Sequence, residues 1–107
     1  MSYTANFAPE TLSRAEVDAQ RGPLVLEFGT NWCGHCQRAQ PSVQAVLAAN
    51  DVPHVKVEDG SGRPLGRSFG VRLWPTLAFL KDGQELARVV RPTDTSELSQ
   101  ALSRILT

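Results

Sequence analysis

Cysteine is scarce in this sequence, net charge is absent and no hydrophobic run is long. Two cysteines among 107 residues exclude a fold held together by a framework of disulfides. The 11 basic residues balance the 11 acidic ones, so the chain lacks the excess of cations that nucleic acid or an anionic membrane attracts. The longest apolar stretches, such as residues 24–26, are far too short to cross a bilayer. We therefore expect neither a nucleic-acid partner nor a membrane partner.

The beginning of the sequence also lacks the features of a targeting segment. Residues 1–7 have neither a basic start nor an apolar run, so no signal peptide is visible and we expect a cytoplasmic protein. Apolar residues make up 41% of the sequence, which is enough for one core, and no repeat or linker divides the chain. We expect a monomer with a single domain over residues 1–107.

Hydrophobic spacing and turn residues predict helices that alternate with strands. The predicted helices span residues 9–20, 34–49 and 63–69 and a last segment that begins at residue 94, and the predicted strands span residues 24–29, 54–58, 75–80 and 85–90. The Asp82-Gly83 pair between the last two strands predicts a hairpin. This order predicts an α/β fold whose central sheet is part parallel and part antiparallel, with helices on both faces.

Three of the predicted helices carry local signals of their own. In the first, Pro9 suits the first turn, and its apolar face is Leu12, Ala15, Val17 and Ala19. Pro41 lies inside the second and should kink it. The last begins at Asp94 with Glu97 as its cap partner. Its apolar stripe consists of Leu98, Ala101, Leu102, Ile105 and Leu106.

The Cys-x-x-Cys motif in Trp32–Cys36 falls where a predicted strand ends and a predicted helix begins. Free N–H groups and aligned peptide dipoles at a helix start stabilise an anion. Because the thiolate is the attacking species in disulfide exchange, this position activates Cys33. Cys36 follows one helical turn later and can attack the resulting mixed disulfide to release the product. Cys33 is therefore the predicted nucleophile and Cys36 the predicted resolving thiol.

Other roles for the cysteines fit the sequence less well. A zinc site completed by His35 or His54 needs four ligands, and no second pair of cysteines exists. A c-type haem site needs histidine directly after Cys36, where the sequence has Gln37. Inert packing in the core remains open, but it leaves the position between strand and helix unexplained.

Four motifs in register support the redox interpretation. They are the Trp-Cys-Gly-x-Cys of Trp32–Cys36, Pro41 five residues after the second cysteine, Trp74–Thr76 and the turn Lys81–Gly83. Together they resemble the thioredoxin family along essentially the whole chain. The resemblance implies the thioredoxin fold, a redox-active Cys33–Cys36 disulfide with no other cofactor and no metal, protein disulfides as substrates and an electron donor of the thioredoxin-reductase type.

The resemblance also implies roles for residues around the motif. The Trp74–Pro75 bond should be cis, pack beside the cysteines and leave the backbone of Trp74 free to pair with an extended substrate, although from the sequence alone Pro75 could simply begin a strand. Trp32 and Gly34 belong to the same expected substrate-contacting surface as Trp74 and Pro75.

Glu27 is the expected acid–base group. It stands among apolar residues in a strand that we predict to be covered on both faces, where a lone carboxylate is costly to ionise. The family commonly has aspartate at this position as a proton acceptor for the resolving thiol, which implies the same role for Glu27 toward Cys36. Lys56 falls where the family often has a lysine near that acid. The alternatives are a Glu27 that faces water and a solvated Lys56.

Four positions depart from the common thioredoxin pattern. His35 replaces proline in the motif, as is typical of protein disulfide isomerases, and a hydrogen bond or charge from it near Cys33 would make the couple more oxidising. Gly29 replaces an aromatic residue and leaves less bulk beside the site. Trp74 replaces a smaller residue and Arg91 a glycine, which should narrow the substrate range or shift it toward acidic partners.

These observations predict an enzyme, a thiol–disulfide oxidoreductase that works as a protein-disulfide reductase in the cytoplasm, in electron transport and cell redox homeostasis. The alternatives are an oxidase-like or isomerase-like thiol exchanger outside the cytoplasm and a non-enzymatic binding module with the same fold.

Overall fold

In the computed structural model, which describes residues 3–106, four strands form one sheet with helices packed on both faces. The helices are α1 (Arg14–Ala19), α2 (Gly34–Ala48), α3 (Pro64–Ser68) and α4 (Thr95–Ser103), and the strands are β1 (Pro23–Gly29), β2 (His54–Glu58), β3 (Thr76–Lys81) and β4 (Gln84–Val90). The predicted order of elements is confirmed.

The sheet is mixed, with the strand order β2-β1-β3-β4. The central strand β1 runs parallel to β2 and antiparallel to β3, and β3 runs antiparallel to β4. Both β1 and β3 are almost fully buried, as their continuous apolar runs predict, whereas β4 is largely exposed at the edge. The α/β architecture that the sequence predicts, with a sheet part parallel and part antiparallel, is therefore confirmed.

The hairpin between β3 and β4 turns at Asp82 and Gly83, as the sequence predicts. Both residues have positive φ, 52° and 79°, which is the backbone pattern that favours Asp-Gly in a two-residue hairpin loop. A Cβ at Gly83 would lie 2.1 Å from the carbonyl oxygen of Asp18, so this position also needs glycine because α1 passes close to it.

The first helix is shorter than predicted, and its prediction from residue 9 is wrong. It begins at Arg14 because Ser13 and Glu16 form a capping box: the Glu16 amide donates to Ser13 Oγ, and the Ser13 amide donates to Glu16 Oε1. Pro9 lies outside the helix, and only Val17 of the helix is buried.

Both longer helices begin close to where the sequence places them. Helix α2 begins after Cys33 and contains Pro41, and α4 begins after Asp94. Asp94 caps α4 through the amide and hydroxyl of Ser96. The predicted apolar stripe holds except for Leu106, which is 47% exposed and, like the buried Ile105, lies beyond the end of the helix at Ser103.

Two apolar clusters lie on opposite faces of the sheet. One packs α2 and α4 against the sheet around Val43, Leu77 and Leu98, and the other packs α1 and α3 around Leu26 and Ala78. Because the side chains of a strand alternate between faces, Glu27 lies on the α2 side together with Val25. The fold therefore brings the buried acid to the helix that carries the cysteines.

Candidate active site

The two cysteines lie at the start of α2, just after the short turn that follows β1. Cys33 is the N-cap residue, and its Sγ accepts a hydrogen bond from the backbone N–H of Cys36 at 3.2 Å. Both residues are free thiols, and Cys33 is 8% exposed whereas Cys36 is 1% exposed. The first sulfur is therefore the more accessible one and sits where the helix supplies N–H donors to an anion.

Cys36 holds its proton tightly. Burial raises the pKa of its thiol to about 12, helped by the hydrogen bond to Cys33 and, to a smaller extent, by the negative charge of Glu27. Gln40 links the acid to this cysteine, because its Nε2 donates to Oε2 of Glu27 at 2.8 Å and to the carbonyl oxygen of Cys36 at 2.9 Å. A thiol with so high a pKa needs a base before it can act as a nucleophile near neutral pH.

Glu27 is completely buried, which contradicts the alternative of a water-facing carboxylate. It is not a lone acid, however. Its Oε1 lies 2.8 Å from Nε2 of His54, and its Oε2 accepts a hydrogen bond from Nε2 of Gln40 at 2.8 Å. Both oxygens are therefore paired, and this compensates the cost of burying the group.

Lys56 is also buried, which contradicts the alternative of a solvated lysine. It lies beside Glu27 in the register of β1 and β2, and its ammonium group donates to Oε1 of Gln40 at 2.7 Å. Burial lowers the pKa of Lys56, and the charges of Glu27 and Cys36 oppose this effect. Gln40 therefore lies between the cation and the acid.

Gln40 and the contact of His54 with Glu27 are not among the features that the sequence predicts. A signal existed for both. Gln40 lies four residues after Cys36 on the same helix, and His54 lies two residues before Lys56 on the same strand, so each shares a face with a residue that the resemblance had marked.

Two tryptophans flank the cysteines. The Trp74–Pro75 bond is cis, as the resemblance implied, and Trp74 packs against the cluster of both cysteines and Phe7. Trp32 is 76% exposed and meets Trp74 edge to face, with 5.8 Å between ring centroids. The indole N–H of Trp74 donates to Asp59 at 2.8 Å, which fixes the ring. This side of the site presents an aromatic surface to solvent.

Arg91 covers part of the backbone that the resemblance expects to be free. Its Nε donates to the carbonyl oxygen of Trp74 at 2.9 Å, and its amide donates to the carbonyl oxygen of Pro75 at 2.9 Å. The residue has a φ of 51°, in the left-handed region where glycine is favoured. The expectation of an unoccupied Trp74 backbone is therefore wrong for its carbonyl group.

His35 is exposed and turned toward Arg38. Its Nδ1 lies 3.1 Å from Nη2 of Arg38, and because a guanidinium can only donate, Nδ1 is the acceptor. The pKa of His35 is lowered, mainly by the positive charge of Arg91. Desolvation and the positive charge of Arg38 lower it further. The expected positive charge on His35 is therefore disfavoured at neutral pH. The cations in this region are the two arginines.

Gly29 provides close contact rather than empty space. A Cβ at this position would lie 2.5 Å from Sγ of Cys36 and 2.9 Å from Cζ of Phe7. The expectation of less bulk beside the site is therefore wrong, because the ring of Phe7 fills the region next to the resolving sulfur. Gly29 lets both side chains approach the strand.

The donor set does not support the zinc alternative. Within residues 3–106, no three His, Cys, Asp or Glu side chains gather in a way that could hold a metal ion. His35 faces Arg38, and the ring nitrogens of His54 contact Glu27 and the amide of Thr4. Across the same described residues, no helix has the length and hydropathy to span a membrane.

Several known proteins are similar to this chain in sequence or in structure. A family model described as Thioredoxin matches residues 5–104. Thioredoxin 2 from Pseudomonas aeruginosa PAO1, solved in its reduced form, has a TM-score of 0.85 and 51% identity, with 96% of each chain covered. Thioredoxin 1 of Nostoc sp. is 29% identical over 108 residues, which cover 99% of this chain and 100% of that protein. Protein disulfide-isomerase A2 of Homo sapiens is 36% identical over 88 residues, 76% of this chain but 17% of that protein.

Proposed function

Because this chain belongs to the thioredoxin family and is a thiol–disulfide oxidoreductase, we propose that it reduces protein disulfides, with Cys33 as the attacking sulfur and Cys36 as the resolving sulfur. The observation that carries this proposal is the position of Cys33 as N-cap of α2, with the Cys36 amide donating to its sulfur. That contact strengthens when the sulfur is an anion.

The exchange proceeds in two balanced steps. The Cys33 thiolate attacks one sulfur of the substrate disulfide, an S–S bond forms between protein and substrate, and the other substrate sulfur leaves as a thiolate. Cys36 then loses its proton and attacks the Cys33 sulfur. The Cys33–Cys36 disulfide forms, and the second substrate sulfur leaves. Two electrons pass to the substrate, and no further cofactor takes part.

Glu27 acts in the second step as the base for Cys36. The support is its complete burial, its electrostatic influence on the thiol and the high pKa of that thiol. A buried carboxylate within range of such a thiol is suited to accept its proton. After the disulfide is reduced again, the same carboxyl group returns the proton to Cys36.

The substrate meets the surface around Trp32, Gly34, Trp74 and Pro75. Two indole rings offer apolar contact area next to the attacking sulfur, and Arg38 and Arg91 add positive charge. Acidic segments beside the substrate disulfide are therefore favoured. The electron donor is of the thioredoxin-reductase type, and residues 1–107 work as one thioredoxin-like domain, monomeric and in the cytoplasm.

We expect Arg91→Gly to raise the rate at which generic protein disulfides such as those of insulin are reduced, by roughly three- to tenfold. The change frees the Trp74 carbonyl group for pairing with an extended substrate. Glycine also adopts a φ of 51° without steric cost, so stability should change little. Insulin reduction with a chemical reductant measures the effect, with Arg21→Gly as the control for loss of an arginine elsewhere. Equal rates for Arg91→Gly and the unmodified protein would count against a guarding role.

The redox potential tests the proposed direction of exchange. We expect the Cys33–Cys36 couple to be more oxidising than about −270 mV, the value typical of thioredoxin, and to lie toward the value of about −180 mV for the isomerase. The support for this expectation is the positive charge of Arg38 and Arg91 beside His35, which lies between the two cysteines.

Equilibration against glutathione or dithiothreitol buffers measures this potential. His35→Pro restores the common motif at a helix position that accepts proline and should lower the potential. A wild-type value at or below about −270 mV contradicts this prediction, and it would leave the reductase function in place.

A further inference from the structure

The surroundings of Glu27 include the first residues of the described chain. Residues 3–5, called here the N-terminal segment, contact three side chains that surround the buried acid. The pairs are the Tyr3 hydroxyl with Gln40 Oε1, the Thr4 amide with His54 Nδ1 and the Ala5 carbonyl with Lys56 Nζ, at 2.7, 2.9 and 2.8 Å. A segment distant in sequence from the cysteines therefore completes the shell around the acid.

The contact with Thr4 determines which nitrogen of His54 carries hydrogen. A backbone amide can only donate, so Nδ1 of His54 must be the acceptor in this hydrogen bond. The hydrogen of the imidazole is then on Nε2, which points at Glu27 Oε1 at 2.8 Å. The Thr4 hydroxyl also donates to the carbonyl oxygen of His54. The N-terminal segment thus fixes His54 as a hydrogen-bond donor to the acid.

Gln40 is fixed in the same way. Its Oε1 faces two donors, the ammonium of Lys56 and the hydroxyl of Tyr3, at 2.7 Å each. Its Nε2 donates to Glu27 at 2.8 Å and to the Cys36 carbonyl oxygen at 2.9 Å. Because ammonium only donates and carboxylate only accepts, a flipped amide would place like groups against each other. The side chain therefore holds Glu27 and the backbone of the resolving cysteine together.

The charged and titratable groups that face Glu27 come from three parts of the fold. They are His54 and Lys56 on β2, Cys36 on α2 and Tyr3 in the N-terminal segment. Each carboxylate oxygen accepts a hydrogen bond, one from Gln40 and one from His54, and other contacts fix the orientation of both donors. The Lys56 ammonium group binds the other end of the Gln40 amide. The position of the carboxyl group is therefore fixed from two sides.

We propose that His54, Gln40 and the N-terminal segment form a clamp that holds the Glu27 carboxyl group in a fixed position, joined through Gln40 to the backbone of Cys36, with His54 and Gln40 as positioning residues. The inference rests on the proposed role of Glu27 as the base for Cys36. It adds that this base depends on His54, a hydrogen-bond donor whose orientation is fixed by the N-terminal segment.

The resolving step can be observed separately from the first attack. Reduced protein mixed with an excess of a chromogenic aromatic disulfide releases one coloured thiolate when Cys33 attacks and a second when Cys36 resolves the adduct. The second release is independent of the concentration of the disulfide, so its rate across a pH series is the profile of the resolving step.

His54→Leu removes the donor to Glu27 with little change in volume. Without that hydrogen bond the carboxyl group is less firmly held, so the rate of the resolving step should fall about tenfold across the pH series. His54→Gln keeps an N–H donor at the distance of Nε2 and should restore most of this rate. Val57→Ala on β2 removes packing in the cluster on the opposite face of the sheet, and it should lower stability without lowering this rate.

Tyr3→Phe tests the N-terminal segment with the smallest change. It removes the hydroxyl that donates to Gln40 and keeps the ring. The resolving rate should fall by about two- to fivefold and the first attack should be unaffected, and an unchanged resolving rate would remove Tyr3 from the clamp.

The outcomes separate the clamp from the function on which it rests. If Glu27→Gln slows the resolving step and His54→Leu leaves its rate unchanged, the clamp is wrong and the base remains. The clamp is also wrong if His54→Leu and His54→Gln slow the resolving step equally. If Glu27→Gln itself has no effect on the resolving step, the proposed base is wrong and the clamp falls with it.

Discussion

Replacing Glu27 by glutamine is expected to slow the resolving step about 100-fold and to leave the first attack by Cys33 nearly unchanged. Glutamine fits the same space and can keep hydrogen bonds to the neighbouring side chains, but it cannot accept the proton of Cys36. The lost negative charge acts in the opposite direction, because that charge raises the pKa of Cys36. It is the smallest of the causes that hold this pKa at about 12, so the loss of the base should dominate.

The pH dependence of this variant has a definite sign. A thiol with a pKa of about 12 is almost entirely protonated at neutral pH. Its thiolate fraction rises about tenfold for each pH unit below that value. Without a base, the resolving rate of Glu27→Gln should therefore climb with this slope in mildly alkaline solution and approach the wild-type rate. Stopped-flow release of the second thiolate measures the slope.

Glu58→Gln is the matched control. Glu58 lies at the end of β2, half-buried and 3.7 Å from Arg63, so the same change alters charge near the site without touching the buried acid. Its resolving rate should stay within about twofold of wild type, as expected for a partly exposed ion pair. If Glu27→Gln resolves its mixed disulfide as fast as Glu58→Gln does, Glu27 is not the base for Cys36.

The sheet and the long helices could be predicted from the sequence because their signals are local. The buried strands β1 and β3 are nearly continuous apolar runs, and Asp82-Gly83 is a strong hairpin signal. The prediction of the first helix from residue 9 follows Pro9 and apolar spacing, whereas the Ser13–Glu16 capping box sets its true beginning. The predicted apolar stripe of the last helix runs to Leu106, whereas α4 ends at Ser103 and Leu106 is exposed.

The candidate site was predictable in part. The position of the cysteines between strand and helix follows from local sequence, and the burial of Glu27 follows from its apolar neighbours in β1. The partners of Glu27 did not follow, because Gln40 and His54 lie 13 and 27 residues away and reach it only when β1, β2 and α2 pack together. The faces that Gln40 and His54 share with Cys36 and Lys56 make them candidates, but their contacts with Glu27 are set only by that packing.

Arg91 shows a different limit of sequence reasoning. Its charge and its place near the substrate surface could be read from the sequence, but its hydrogen bond to Trp74 depends on a backbone conformation with positive φ that arginine rarely adopts. The charge of His35 could not be predicted for the same reason, because it depends on neighbouring side chains. The positive charges of Arg91 and Arg38 disfavour a positive charge on His35.

The order of events at the two sulfurs gives the second large effect. Cys36→Ser leaves the attacking sulfur and removes the resolving one, so each protein molecule should stop at the mixed disulfide. Multiple-turnover reduction of a protein disulfide should fall at least about 100-fold, because the slow alternative is attack by an external thiol. Serine is close to cysteine in size, and Cys36 is buried without a disulfide, so the fold should persist.

The most direct measurement is mass spectrometry of Cys36→Ser after incubation with an oxidised protein substrate, with Cys33→Ser treated in parallel. We predict one covalent adduct at Cys33 that dithiothreitol releases, and no comparable adduct in the Cys33→Ser protein, whose remaining thiol is buried and has its pKa raised by that burial. Adducts of equal amount in both variants, or none in Cys36→Ser, would contradict the assignment of the attacking and resolving sulfurs.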